Sequence, residues 1–220
     1  GRGSGRGGGR GGGRGRGNLR TGGPGGRGAT RRREEAEVKD LEARIEAEMP
    51  EAGTQDVIAH DFADLPISGY TLAGLAKAKF KRMTQIQRVA IPHGLAGRDV
   101  LGAAKTGSGK TLAFLIPVVE ALYRARWSRE DGLGAIVISP TRELALQIFE
   151  VLRAVAGSHF GLTAGFVTGG KPFQEEQYAM SKLNIIVCTP GRLLQHMEQT
   201  PGFDASLVKV LVLDEADRLL

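Results

Sequence analysis

Ala104-Lys105-Thr106-Gly107-Ser108-Gly109-Lys110-Thr111 has the spacing of a phosphate-binding loop, with alanine where the first glycine is usual. Glycines let backbone N–H groups curl around a phosphate, and a helix opening at Lys110 points its positive end at the anion. Lys110 can neutralise the β- and γ-phosphates, and the Thr111 hydroxyl can ligate Mg²⁺. Far downstream, Asp214-Glu215 close an apolar run. An aspartate at such a point can hold the metal through water, and the neighbouring glutamate can polarise an attacking water. Alone, an acidic pair after a strand more often begins a solvated helix; beside a phosphate loop, the catalytic reading of Lys110, Asp214 and Glu215 dominates. Phe80 and Gln87 are candidates for a base site. An amide offers one donor and one acceptor, matching N6 and N7 of adenine, and an aromatic face can stack on the ring. By themselves a surface Gln and a core Phe would be the plainer reading.

The elements that must position these groups are legible as short apolar runs separated by helical periods. The runs are Asp99–Ala103, Ala135–Ser139, Leu162–Thr168, Asn184–Cys188 and Val208–Leu213. Their alternation with helices predicts an α/β fold: right-handed βαβ crossovers and a parallel sheet with helices on both faces. In such sheets ligands bind at the carboxyl ends of the strands, where every motif above falls. Pro140–Ala145 and Thr189–Arg192 likewise end a strand and open a helix, so their free N–H groups can face a phosphate. Thr189 suits an N-cap and Pro190 the first helical position, which capping alone would also explain. Pro117 is expected to kink or divide the helix that follows the phosphate loop.

The net charge of +6 over 220 residues is a sum of opposites. Residues 1–33 carry ten of the 30 basic side chains and no acid, leaving 20 against 24 acids, or −4, for the rest. Gly1–Gly28 also holds 16 of the 33 glycines. Residues 1–33 therefore read as a disordered arginine-glycine arm with nothing to bury, its guanidinium groups suited to phosphates and unpaired bases. Residues 34–56 read as a helical linker whose Val38, Leu41 and Ile45 form one stripe, solvated or loosely docked and stopped by Pro50. The main domain is expected over 57–220. A single cysteine, Cys188, permits no internal disulfide and no cysteine-based zinc site, and it reads as a small core residue. His60, His93, His159 and His196 form no ligand cluster, Trp127 reads as a packing or partner contact, and no apolar run is long enough to cross a bilayer.

With these elements in order, the chain resembles the DEAD-box RNA helicases. Phe62, Phe80-Lys81-Arg82-Met83-Thr84-Gln85-Ile86-Gln87, the loop at 104–111, PTRELA at 140–145, Gly169-Gly170, TPGR at 189–192 and Asp214-Glu215-Ala216-Asp217 carry the resemblance. It implies a RecA-like P-loop NTPase domain. ATP would be bound by Phe62, Phe80, Gln87 and Ala104 to Thr111, with Mg²⁺ served by Thr111 and Asp214, and catalysis by Lys110, Asp214 and Glu215. RNA would be held by its backbone at Pro140, Thr141, Arg142, Gly169, Gly170, Thr189, Pro190, Gly191 and Arg192. Asp217 would couple hydrolysis to a second domain. The family's Q motif usually has glycine and proline where Lys79 and Met83 stand here.

LPISGYTLAGLAKAKFKRMTQIQ and GRLLQHMEQT further resemble nucleolar helicases of small-subunit ribosome assembly, which implies a nuclear or nucleolar address and pre-ribosomal protein partners. The resemblance also implies that the span is incomplete at its C-terminus. The strand leading to a Ser-Ala-Thr motif, which would lie between the phosphate-loop strand and the DEAD strand, and the second RecA-like domain are not in it. Two sheet edges and part of the core are then left open, and RNA-stimulated ATPase by this span alone should be small. A P-loop ATPase acting on a non-RNA substrate would have no reason to carry PTRELA, Gly-Gly and TPGR together. A non-catalytic RNA-binding protein would be expected to lose Lys110 or Glu215.

Overall fold

Four short apolar runs pair in parallel: β1 (Ala135–Ile138), β2 (Ala164–Val167), β3 (Ile185–Cys188) and β4 (Val210–Leu213), in the spatial order β2-β3-β1-β4. This is a computed structural model, and it describes residues 25–54, 59–159, 161–170 and 172–219. Seven helices lie among the described residues: α1 (Gly25–Glu48), α2 (Gly69–Lys77), α3 (Gln85–Leu95), α4 (Lys110–Arg124), α5 (Arg142–Ala156), α6 (Phe173–Met180) and α7 (Pro190–Gln199). The chain divides after Glu35 into two units. Everything that bears on the site lies in the second.

Strand alternation explains the layers. Ala135, Val137, Ile185 and Val187 point into one buried cluster with Leu115, Val118, Val119 and Leu122 of α4 and Ile148 and Leu152 of α5. Ile136, Ile186 and Cys188 point the other way, onto Val167, Met180 and Leu193. Cys188 is a buried core thiol as expected, and burial pushes it up to about 12. Both faces of β1 and β3 are thus covered. A third cluster, with Phe62, Leu75, Met83, Ile91, Leu112 and Ile116, packs α2, α3 and α4 together. Gly74 permits the close α2–α5 approach, since a Cβ there would stand 2.3 Å from the Val155 carbonyl oxygen.

Four expectations need correction. Asp99–Ala103 forms no strand, and Leu101 is 99% exposed. A strand exists only by pairing, and among the described residues β4 pairs with β1 alone and nothing pairs with 99–103. Leu211 and Leu213, on one face of β4, are correspondingly open at 59% and 51% exposure. Pro117 does not divide α4, which runs unbroken through it; Gly94 leaves room for the proline ring, as a Cβ there would come within 2.6 Å of Pro117 Cγ. The linker helix α1 is docked: Val38 and Leu41 are buried, Ile45 and Met49 pack on the third cluster, and Glu37 accepts from the Gly69 N–H and the Tyr123 hydroxyl. Finally, residues 25–33 of the expected arm are helical, because a nucleated helix adds turns cheaply and the Arg31–Glu35 pair supports the step. The remainder of that arm, 1–24, and the boundary expected at 57 lie outside the described residues.

Candidate functional site

Register places the site. Ile138 lies opposite both Cys188 and Leu213, and Cys188 opposite Val167, so all four strands end level. The residues that follow, Ser139-Pro140-Thr141, Thr168-Gly169-Gly170, Thr189-Pro190 and Asp214-Glu215, therefore leave the sheet along one edge. Cross-strand bonds continue one step past the ladder, from Ser139 N–H to the Cys188 carbonyl and from Asp214 N–H to the Ile138 carbonyl.

The phosphate loop turns through Gly107 and Gly109 at φ 79° and 92°, a left-handed backbone that glycine adopts without strain, and delivers Lys110 as the first residue of α4. Lys105, Thr106 and Gly107 are exposed, whereas Ala104, Ser108, Lys110 and Thr111 are half-buried. Lys110 Nζ lies 3.9 Å from Glu215 Oε1. Glu215 itself is held at φ 50°, uncommon for a residue with a Cβ, and is also met by Arg218 at 3.7 Å. Asp214 is half-buried. Burial pushes its carboxyl above the usual range, Glu215 adds to this, and the Ser139 hydroxyl and Lys110 oppose it. Asp217 stands exposed on the one-turn helix that follows.

Gln87 is 3% exposed, and both ends of its amide are bonded. Its Oε1 accepts from the Thr84 N–H at 2.9 Å, closing the first turn of α3, and its Nε2 donates to the Gly109 carbonyl at 2.9 Å, holding the phosphate loop. The Gly109 bond uses one of the two Nε2 hydrogens, so the amide keeps a donor for adenine. Phe80 is exposed, presented by a Schellman turn in which Phe80 N–H bonds the Leu75 carbonyl and Lys79 N–H bonds the Ala76 carbonyl. Lys79 takes the left-handed position there, at φ 65°, which accounts for the family's usual glycine. Met83 uses its N–H on the His60 carbonyl, a bond proline would lack. Phe62 is 2% exposed, so its ring supports the 80–87 segment from the core and presents no face to a base, against expectation.

Of the groups expected to hold RNA, Thr141 caps α5 by accepting from Leu144 N–H, and Arg142 is exposed, its guanidinium donating to the Gly169 carbonyl. That bond ties PTRELA to the glycine pair. Thr189 is the N-cap of α7 and Pro190 its first residue, yet the Thr189 hydroxyl makes no capping bond. Arg192 departs from expectation: its side chain is 10% exposed and its Nε donates to Glu176 Oε2 at 2.7 Å. Of this loop, Pro190 and Gly191 are the exposed residues.

Two residues went unnoticed in the sequence. Ser139, fully buried, donates to Asp214 Oδ2 at 3.3 Å; a small polar residue ending an otherwise apolar strand was the available signal. Nothing distinguished buried Glu176 from its neighbour Glu175. Among the described residues no three His, Cys, Asp or Glu side chains converge on a metal position, and no helix is long and apolar enough to cross a membrane.

The geometry agrees with the comparisons to known proteins. A family model described as DEAD/DEAH box helicase matches residues 84–220. The chain is 53% identical over 194 residues to "ATP-dependent RNA helicase DBP4" of Coccidioides immitis, covering 88% of this chain and 23% of that protein. It is 59% identical over 162 residues to "Probable ATP-dependent RNA helicase ddx10" of Dictyostelium discoideum, covering 74% of this chain and 18% of that protein. The chain thus spans roughly a fifth of the length of these curated relatives. A crystal structure of a DEAD box protein from the hyperthermophile Methanococcus jannaschii superimposes with TM-score 0.66 at 33% identity, over 73% of this chain and 43% of that one.

Proposed function

Because the chain belongs to the DEAD/DEAH box helicase family, we propose that it is the ATP-binding part of an ATP-dependent RNA helicase that remodels RNA by gripping its backbone. The observation that carries the reading is the level strand ends, which put the 3.9 Å Lys110–Glu215 pair, PTRELA, the glycine pair and TPGR on one edge of one sheet.

The loop residues fit ATP. Ser108 Oγ is buried with no hydrogen-bond partner among the described residues, Gly107 has open space beside it where a side chain would stand, and Lys110 is the cation at the base of the loop. Thr111, and Asp214 through water, would offer oxygen donors to Mg²⁺, a hard cation that prefers such ligands. ATP supplies the phosphoryl group whose transfer to water releases free energy, and the metal neutralises its charge. Ala104 to Lys110 hold and orient the phosphates, Phe80 offers a ring face on which adenine can stack, and Gln87 is the amide that reads adenine with its remaining donor. Glu215 takes the proton of the attacking water at a carboxylate oxygen, while Lys110 keeps that carboxylate turned toward the loop. Arg142 and the free N–H groups at the starts of α5 and α7 hold the RNA, and Asp217 passes the state of the site to a second domain. The resemblance to nucleolar helicases extends the reading to pre-rRNA, pre-ribosomal partners and a nucleolar address.

The test is fluorescent-ATP binding to the chain, with and without Mg²⁺, and RNA-stimulated ATPase of the full-length protein. Lys110→Ala should abolish nucleotide binding, whereas Glu215→Gln should bind normally and lose turnover by about 10²-fold or more. Full turnover by Glu215→Gln refutes its assignment as base.

A further inference from the structure

We infer that Glu176 is a positioning residue for the RNA grip: it holds the Arg192 guanidinium away from the phosphates and braces α7, so that this loop meets RNA through backbone N–H groups and not through a cation. The inference rests on the reading of the α7 start as an RNA contact.

The cluster stands apart from the nucleotide loop and joins α6 to α7. Glu176 Oε2 accepts from Arg192 Nε at 2.7 Å and lies 3.1 Å from His196 Nε2, which donates in the tautomer that leaves Nδ1 to accept from the Thr200 hydroxyl at 2.8 Å. Arg192 Nη1 also donates to Gln195 Oε1 at 2.9 Å. The Phe173 ring lies 5.0 Å from the guanidinium carbon and 4.6 Å from the His196 ring. One carboxylate therefore grips α7 at its first turn and again a turn later, while Gln177 holds the far end through the Gln199 carbonyl.

Charge decides what is left for RNA. The side chains of Arg192, Glu176 and His196 are 10%, 7% and 0% exposed. A cation already matched by a buried anion releases no counterion when a phosphate approaches. Glu176 Oε1 has no hydrogen-bond partner among the described residues, so the carboxylate leans on Arg192 and His196. Arg142 is the opposite case, exposed and bonded to a neutral carbonyl. At α7 the first N–H with an intrahelical acceptor is that of Leu193, on the Thr189 carbonyl, so the first turn, with the exposed Gly191, can turn a backbone N–H to a phosphate as long as the helix is held in place.

Salt dependence separates a strut from a contact, because each neutralised phosphate of a single strand adds about 0.7 to the slope of log K against log salt. Affinity of the chain for a fluorescent uridine oligonucleotide is measured by anisotropy across a salt series, with urea midpoints confirming the fold. Arg142→Gln should lower the slope by about 0.7. Glu176→Gln and Arg192→Gln should weaken binding several-fold with the slope unchanged. Arg192→Lys, which keeps the charge but loses the Nε contact, should weaken it comparably and serves if the other variants do not fold. An Arg192→Gln slope reduced like that of Arg142→Gln, wild-type affinity in Glu176→Gln, or full affinity in Arg192→Lys overturns the inference alone. An Arg142→Gln slope equal to wild type means RNA bypasses the strand-end loops, which overturns the RNA reading and this inference with it.

Discussion

Replacing Gln87 by glutamate changes one atom's role and leaves the side chain's shape. Glutamate keeps the Oε1 that accepts from Thr84 N–H but puts an oxygen where Nε2 now donates to the Gly109 carbonyl at 2.9 Å. The lost bond costs about 1 kcal/mol, and facing a carbonyl with a carboxylate at a site only 3% exposed costs about 2 more. A total near 3 kcal/mol corresponds to a fall of about 6–12 °C in Tm for a domain of this size. Proton linkage supplies the signature. Burial beside a carbonyl raises the folded-state pKa of the introduced carboxyl above its unfolded value of about 4.3, so the folded state binds the extra proton. Below that value the carboxylic acid donates to Gly109 much as the amide does. Stability is then lost as pH rises through the folded pKa. Gln87→Ala loses both bonds, about 2 kcal/mol, with no such pH dependence. Urea denaturation followed by the single tryptophan, Trp127, at pH 5 and pH 7.5 reads all three proteins. A Gln87→Glu midpoint equal to wild type at pH 7.5, or a gap to wild type that does not narrow toward pH 5, refutes the claim that this amide clamps the phosphate loop.

Gly170→Ala places a Cβ where the Arg142 guanidinium now lies, on a backbone at φ 99°. The flexible arginine shifts and loses its Gly169 bond, so RNA affinity should drop about five-fold with the helix content intact by circular dichroism. Lys79→Gly relieves a left-handed residue at φ 65° while keeping the turn, and should raise the urea midpoint by the equivalent of about 0.5–1 kcal/mol. His159, buried against Thr71, Tyr70 and Tyr123, is held down to about 4 by burial. The unfolded ring protonates first as pH falls below about 6.5, so about 2 kcal/mol of stability should disappear between pH 7.5 and pH 5. His159→Gln should flatten that limb of the pH–stability curve.

Local chemistry was enough for much of this molecule. The glycine turn before α4, the strand-to-helix turns at 140–145 and 189–192, Pro190 at the start of α7 and the four strands β1–β4 could all be read along the chain, because glycine torsions, the fixed φ of proline and alternating burial depend on near neighbours. Four features depended on residues far apart in the chain, and only the folded structure decided them. Asp99–Ala103 carries Val100 and Leu101 in a short apolar run but has no ladder to join, and pairing is what makes a strand. The Val38–Leu41–Ile45 stripe was visible, yet whether anything covered it was not, since period reveals a face without its partner. Arg142 and Arg192 are the same residue in two similar strand-to-helix turns. One is exposed beside a carbonyl and the other is spent on Glu176, because free charge is a property of surroundings and not of residue type. Gln87, likewise, had the right chemistry for a base; the tertiary fold set that amide on the carbonyl of Gly109, where a buried polar group must find its bonds.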